Sequence, residues 1–325
     1  MNERNDRKTA KTKAEALRFW LIRAIWGLGG ITLAGIILGG ALLFRISKIS
    51  GWSARNGQEG QVEVYSKEQI DKFITSVLIA VQNQPLGQKD ARADMLFIAS
   101  FNAFEQRLTM VALASETMVE VEGYGQKSLG EAYALGGPGL LVNTINQNFG
   151  LDLQNYACTD THSLAAMIDL LGGIQLDLTP SEAGYINAAL GGNGERLQAG
   201  PETLTGVQSM VHAMDNLSGQ KPLGSLERSL TLIHSAIFDM RKTATKEAML
   251  PLLSLVFSNI QTNLDLTTLR DWGYEILKAE EIEYRSLILP CEDSWKTVGV
   301  KGEELQADIP RNGALLRETL YHISR

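Results

Sequence analysis

The stretch DMLFIASFNAFEQRLTMVALA, Asp94 to Ala114, decides the fold class. Two mostly apolar runs, DMLFIASF and RLTMVALA, flank a break at Asn102 to Gln106 that is too short for a crossover connection, so they are expected to pair as a hairpin of buried strands. Upstream, SVLIAVQ (76 to 82) reads as another strand. Downstream the period changes. GGPGLLVNTINQNFG opens on a Gly-Pro break and ends on Gly150, which predicts a helix over about 138 to 149. QNYACT reads as a strand, THSLAAMIDLLGG as a helix opened by an N-cap-type Thr or Ser and closed by Gly172, and IQLDL as a further strand. Over 224 to 242, Leu226, Leu230, Ile233, Ile237 and Met240 recur at helical spacing and share one face, with Arg228 off that stripe. One or two helices are expected within 246 to 279, then strands at IEYRSLIL and WKTVGV and a terminal helix from about Arg311 to His322. Strands alternating with helical segments describe an α/β layer fold, one domain over 74 to 325 with helices covering a central sheet.

Composition narrows the chemistry. The chain has 325 residues, 44% hydrophobic and 21% charged, enough to bury a substantial core. Two cysteines, Cys158 and Cys291, and four scattered histidines have no ligand-like spacing, so metal chemistry would have to use carboxylates. Whether the two cysteines pair stays open at this point. Net charge is -7 overall, yet residues 1 to 45 hold eight Lys/Arg against three acids, which leaves the remainder strongly acidic and a poor nonspecific partner for nucleic acid.

Residues 24 to 44, AIWGLGGITLAGIILGGALLF, are 21 consecutive uncharged residues, long enough as a helix to cross a hydrocarbon core of roughly 30 Å. Seven basic residues precede the run, so the positive-inside bias places residues 1 to 23 in the cytoplasm as a basic tail, 24 to 44 as a single transmembrane helix, and the body outside the cell membrane. A cleaved signal peptide is the competing reading; the run is longer than an ordinary signal core. Residues 45 to 73, polar and Gly-rich over much of their length, read as a spacer.

Three blocks, in order, carry a family resemblance: ARADMLFIASFNAFEQRLTMVALASETMVEV; SLGEAYALGGPGLLVNTINQNFGLDLQNYACTDTHSLAAMIDLLGGIQLDL; and LQAGPETLTGVQSMVHAM followed by LGSLERSLTLI. Together with the tail they resemble the LytR-CpsA-Psr family of cell-envelope proteins over about residues 74 to 325. The resemblance implies a central mixed β-sheet sandwiched by helices (α-β-α), with an apolar groove for a polyprenyl chain. It also implies a phosphotransferase that moves a polyprenyl-pyrophosphate-linked glycopolymer onto peptidoglycan. A pyrophosphate leaving group concentrates negative charge, so such a site surrounds it with arginines and uses aspartates to hold Mg2+.

The match fails selectively at that site. The family's first metal aspartate falls on Gln82, whereas Arg92 and Asp94 are kept. Arginine positions fall on Ser115, Met214, Asn216 and Ser225, and a glutamine position on Ser229; Glu227 and Arg228 remain. The resemblance thus leaves Arg92 and Arg228 as a remnant pyrophosphate pair and Asp94 as the metal candidate, with Mg2+ in doubt. Four lost charge-assisted contacts at about 1.5 to 3 kcal/mol each would remove roughly 6 kcal/mol or more. The competing reading makes Arg92, Asp94 and Arg228 structural ion pairs. Glu116, Glu120 and Glu122 read as a solvated acidic face, and His212 as a packed or surface histidine. Two function classes remain: a glycopolymer transferase with weak or lost catalysis, or a noncatalytic membrane-anchored module that binds polyprenyl-linked precursor, cell-wall glycan or a sister transferase.

Overall fold

The expected hairpin is the centre of the sheet. In a computed structural model of the chain, which describes residues 62–65, 69–88, 90–191, 196–214, 223–243, 259–264, 281–299 and 304–322, strand β2 (Met95–Asn102) pairs antiparallel with β3 (Arg107–Leu113) and with β1 (Ile74–Gln82). Every residue of β2 is buried, as a strand covered on both faces requires. Parallel pairing adds β6 (Asn155–Asp160) beside β1 and β10 (Glu283–Leu289) beside β3, and the two-residue β9 (Gln261–Thr262) pairs antiparallel with β6, giving the order β10-β3-β2-β1-β6-β9. The sheet is therefore mixed.

Each face of the sheet packs on its own helices. One face presents Leu78, Leu96, Ile98, Val111 and Leu113 to helix α1 (Leu129–Phe149) and to the terminal helix, which runs from Ile309 to Tyr321. The opposite face presents Val81, Met95, Phe97, Phe101, Leu108 and Met110 to two helices that carry Ala213 and the pair Leu226 and Leu230. A smaller layer follows β6: α2 (Thr161–Leu170), β7 (Ile174–Leu178), α3 (Pro180–Ala189), β8 (Gly200–Leu204) and α4 (Gly206–Met214). Then α5 (Gly224–Thr243) crosses the second face. Leu226, Leu230, Ile233 and Ile237 pack on that face as their spacing predicts; the side chain of Met240 lies outside the described residues.

Several local readings change. Helix α1 begins nine residues before the Gly-Pro break, because Ser128 and Glu131 form a capping box and the GGP sequence kinks the helix instead of starting it. Gly139 is then the contact point for an earlier segment: a Cβ there would sit 1.6 Å from the Val62 carbonyl oxygen. Val62 to Tyr65 lie along α1, with the Val62 amide on the Gly136 carbonyl and the Asn143 side chain bonded to both Glu63 O and Tyr65 N. The cap of α2 is Asp160, whose carboxylate accepts from Ser163 N, rather than a Thr or Ser. Within 246 to 279 the helical reading fails at β9 (Gln261–Thr262), which pairs with β6, while Asn263 accepts from Tyr156 N and donates to Gln154 O to seal that edge. The rest of that stretch apart from 259 to 264 lies outside the described residues. Two small hairpins, β4 (Met118–Val121) with β5 (Gly125–Ser128) and β11 (Trp295–Val298) with β12 (Glu304–Ala307), complete the described elements before α6 (Ile309–Tyr321).

Cys158 and Cys291 are both free thiols against the first core face, and burial pushes the Cys158 thiol up to about 12. The apolar run at 24 to 44 and the basic tail before it lie outside the described residues. Among the described residues no helix is long and apolar enough to cross a membrane.

Candidate functional site

Parallel β1 and β6 end together, with Gln82 opposite Asp160, and β2 begins beside them: the Asp94 amide donates to the Val81 carbonyl at 2.9 Å. This strand end gathers Gln82, Asp94 and Asp160. Asp94 accepts from Asn83 N at 2.9 Å, and the Asn83 side chain meets Thr161 Oγ1 at 3.3 Å. Asp160 spends one carboxylate oxygen on Ser163 N and the other on Leu86 N. Gln82 is 2% exposed, and its Nε2 donates to the carbonyls of both Gln84 and Pro85 at 2.8 Å. The loop after β1 is thereby folded back onto its own strand end by an amide.

Magnesium, which the resemblance implies, meets a poor donor set here. It is a hard cation held by charged or carbonyl oxygens. At position 82 the side chain is neutral and turns its N–H groups to two carbonyls, while Asp160 is occupied as a helix cap and loop acceptor. Of Gln82, Asp94 and Asp160, Asp94 alone is an exposed carboxylate. Among the described residues no group of three or more His, Cys, Asp or Glu could hold a metal ion.

Arg92 stands two residues before Asp94 and, like it, is exposed, between the buried Ala91 and Ala93. Its guanidinium donates to Ser128 Oγ at 3.0 Å, the hydroxyl that caps α1. Glu131 completes that capping box; the Ser128 backbone bond, with Arg92 and Lys127 nearby, holds its carboxyl below the usual range against the effect of burial. Ser115 is buried at the end of β3, where its carbonyl accepts from Gly130 N. A Cβ at Gly130 would lie 2.7 Å from the Ala93 carbonyl, so helix and strand ends meet without room for a larger side chain at 130.

Arg228 belongs to another element. Its Nε donates to the His212 carbonyl at 3.0 Å, which ties α5 to α4. The His212 ring, 4% exposed, meets Glu182 Oε1 at 3.1 Å. Burial disfavours the charge on Glu182, but its bonds to Thr179 and His212 outweigh that and hold its carboxyl below the ordinary value. Ser229, 2% exposed, bonds the Ser225 and Ala213 carbonyls, and Met214 packs into the second core face. Asn216 lies outside the described residues. Positions where the resemblance expects cations or an amide are thus built into packing and backbone capping at 115, 214 and 229.

Among the sequence candidates, then, Arg92, Asp94, Gln82 and Ser115 cluster at one end of the sheet, and Arg228 is fixed on the helix pair over its second face. Glu120 and Glu122 bond Gln126 and Tyr65 on the β4–β5 hairpin and take no part in the strand end. Asp160 is a site residue that the apolar pattern does not mark; its signal in the sequence is an Asp directly before Thr161 at the start of α2.

A sequence profile described as the LytR_cpsA_psr family matches residues 45–310. The chain is 22% identical over 249 residues to the regulatory protein MsrR of Staphylococcus aureus, covering 75% of this chain and 74% of that one. It is 24% identical over 289 residues to the polyisoprenyl-teichoic acid–peptidoglycan teichoic acid transferase TagU of Oceanobacillus iheyensis, covering 83% and 84%. Its fold superposes, at a TM-score of 0.59 and 17% identity, on the LytR-CPS2A-psr family protein YwtF (TagT) with bound octaprenyl pyrophosphate, over 81% of this chain and 97% of that one.

Proposed function

Because the chain belongs to the LytR-CpsA-Psr family, we propose that it serves cell-envelope assembly as a membrane-anchored, extracytoplasmic protein that binds a polyprenyl-(pyro)phosphate-linked glycopolymer, with transfer onto peptidoglycan slow or lost. The observation that carries this reading is the strand end itself, where Gln82 uses its amide on Gln84 and Pro85 in the place of a metal aspartate. Support for the lipid comes from the second sheet face, whose apolar residues beneath α4 and α5 do not depend on the replaced arginines. TagU is named as a teichoic acid transferase and the YwtF structure holds a polyprenyl pyrophosphate. Anchorage rests on the apolar run at 24 to 44 and its basic flank.

In this reading Arg92 and Arg228 supply the charge-assisted contacts to phosphate; Arg92 donates to the Ser128 hydroxyl, and one contact of Arg228 is its bond to the His212 carbonyl. The chain's residues bind and orient the anion; little of the charge that develops on a leaving pyrophosphate is neutralised, so transfer is slow. Magnesium contributes little, since Asp94 alone makes a weak site. A noncatalytic module is the second reading, favoured by the packing of Ser115, Met214 and Ser229 at positions where a transferase of this family needs long polar or cationic side chains.

Calorimetry of the purified full chain in detergent with a short-chain polyprenyl phosphate, for wild type and an Arg92→Ala/Arg228→Ala variant, tests the proposal. Weak binding by wild type, indifferent to magnesium and reduced about tenfold or more in the variant, is expected for loss of two charge-assisted contacts. No binding by wild type at millimolar ligand would favour a protein-interaction scaffold. Strong magnesium-dependent binding, or glycopolymer transfer at the rate of a relative with the full arginine set, would refute the reading of the site.

A further inference from the structure

The end of the sheet opposite the candidate site carries an exposed aromatic pair. Phe104, at the tip of the β2–β3 turn, is 81% exposed, and Phe73, just before β1, is 51% exposed. Their ring centroids are 6.1 Å apart, Lys72 Nζ lies 5.1 Å from the Phe73 centroid, and Ile70 is exposed beside them in sequence. The display is built rather than frayed. Asn102 Oδ1 accepts from the amides of Phe104 and Glu105, and the Phe73 carbonyl accepts from Ala103 N. Glu105 is neutralised by Arg107, whose side chain is almost fully buried, at 2.5 Å. A fixed turn that holds a bare ring in water, with Glu105 paired to Arg107, Asp71 accepting from the Phe73 amide and Lys72 alongside, has the composition of an interfacial contact: apolar rings to enter the acyl boundary and a cation for the headgroups.

The same end terminates the apolar sheet face. Register pairs Phe101 with Leu108, Ala99 with Met110 and Phe97 with Ala112, so one continuous apolar ladder runs from this tip toward Val81, Met95 and Ala114 beside the strand end that holds Asp94. At about 3.3 Å per residue, eight-residue strands span roughly 25 Å. The strand end that holds Asp94 therefore lies about one strand length from the Phe73–Phe104 end.

We infer that the Ile70–Phe73 segment and the Phe104 turn rest on the bilayer surface, so that the domain stands with its candidate site roughly one strand length above the lipid. This rests on the proposed membrane anchorage. Tethering makes so small a patch sufficient, because a short linker raises its effective concentration at the bilayer. Reach is not limiting: the 17 residues between 45 and 61 can extend to about 55 Å, whereas α1, along which Val62 to Tyr65 lie, measures about 30 Å. A second copy is a poorer occupant, since three apolar side chains fall far below the roughly 800 Å² per partner of a stable interface.

The test places a nitrobenzoxadiazole probe on the full chain in nanodiscs of phosphatidylethanolamine and phosphatidylglycerol, with acyl-chain nitroxide lipid as quencher. In a Cys291→Ser background, with Cys158 buried, the probe is attached through Phe104→Cys, or through Gln84→Cys at the exposed loop of the other end. The inference expects severalfold stronger quenching at 104 than at 84, and loss of quenching of a probe at Ile70→Cys once Phe73→Ser and Phe104→Ser are added. Equal quenching at both ends, stronger quenching at 84, or none at 104 overturns it. A probe shift at 104 that depends on protein concentration without lipid quenching overturns it in favour of self-association. Failure of the chain to co-elute with nanodiscs would instead refute the anchorage reading, a separate and earlier result in the same experiment.

Discussion

Gln82→Asp probes whether an amide now does what a metal would do at this strand end. Gln82 is 2% exposed and gives both of its hydrogen bonds, each 2.8 Å, to the carbonyls of Gln84 and Pro85. An aspartate there donates nothing and brings a third carboxylate to an end that already holds Asp94 and Asp160. Two lost hydrogen bonds at about 1 to 1.5 kcal/mol each, with the added confinement of like charge, cost roughly 3 kcal/mol. For a domain of this size that lowers Tm by about 6 to 12 °C in EDTA. A second available carboxylate beside Asp94 can hold magnesium where one could not, and at about 10 mM with a Kd near 1 mM binding returns approximately 1.4 kcal/mol, or about 3 to 6 °C. Circular-dichroism melts of wild type and variant, each with magnesium and with EDTA, give the four numbers required. A wild type stabilised by magnesium as much as the variant, or a variant that melts in EDTA like wild type, would refute the assignment of Gln82 as a metal substitute.

Gly139→Ala should dislodge Val62 to Tyr65 from α1, since the new Cβ would fall 1.6 Å from the Val62 carbonyl oxygen and three hydrogen bonds hang on that contact; a loss of about 2 to 4 kcal/mol in chemical denaturation is expected, with faster proteolysis near residue 65. Gly184→Ala, in the interior of α3 with nothing within 4 Å of its Cβ, should instead be neutral or stabilise by about 0.5 to 1 kcal/mol in the same assay. Glu182 has a folded pKa below its ordinary 4.5, so its contribution is present above that value and is lost as pH falls through the folded pKa. Glu182→Gln should therefore cost more stability at pH 6 than at pH 3 in urea titrations, and an equal cost at both would contradict the lowering of its pKa by the Thr179 and His212 bonds.

The fold was readable where burial alone sets the pattern. Strands β1 to β3 and the face of α5 follow from continuous apolar runs and a helical stripe, both of which report on burial directly. It was least readable where side chains replace that pattern. The start of α1 depends on the reciprocal bonds of Ser128 and Glu131, and β9 is two residues whose place depends on Thr262 and Asn263 bonding to the β6 backbone. Hydrophobic periodicity carries no information about either. Residues 62 to 65, polar in part and aperiodic, read as spacer because their docking is made by backbone groups on the Asn143 amide and by an absent side chain at Gly139.

At the candidate site the sequence revealed which residues had changed, and the geometry explains why the changes do not leave holes. Removing a cation from a buried phosphate site leaves carbonyls and hydroxyls that still need partners. Three of the described replacements supply or avoid one: Gln82 serves the Gln84 and Pro85 carbonyls, Ser229 serves Ser225 and Ala213, and Met214 adds apolar contact on the sheet face. The retained charges are bound into structure as well, Arg92 at the cap of α1 and Arg228 at the α4–α5 junction. Restoring a single arginine, for example Ser115→Arg, should therefore cost stability through overpacking at a 6% exposed position before it could add any affinity for phosphate. A full arginine set at these positions would need the strand end and both helices to change together, whereas the contacts of the apolar face stand independently of these polar exchanges.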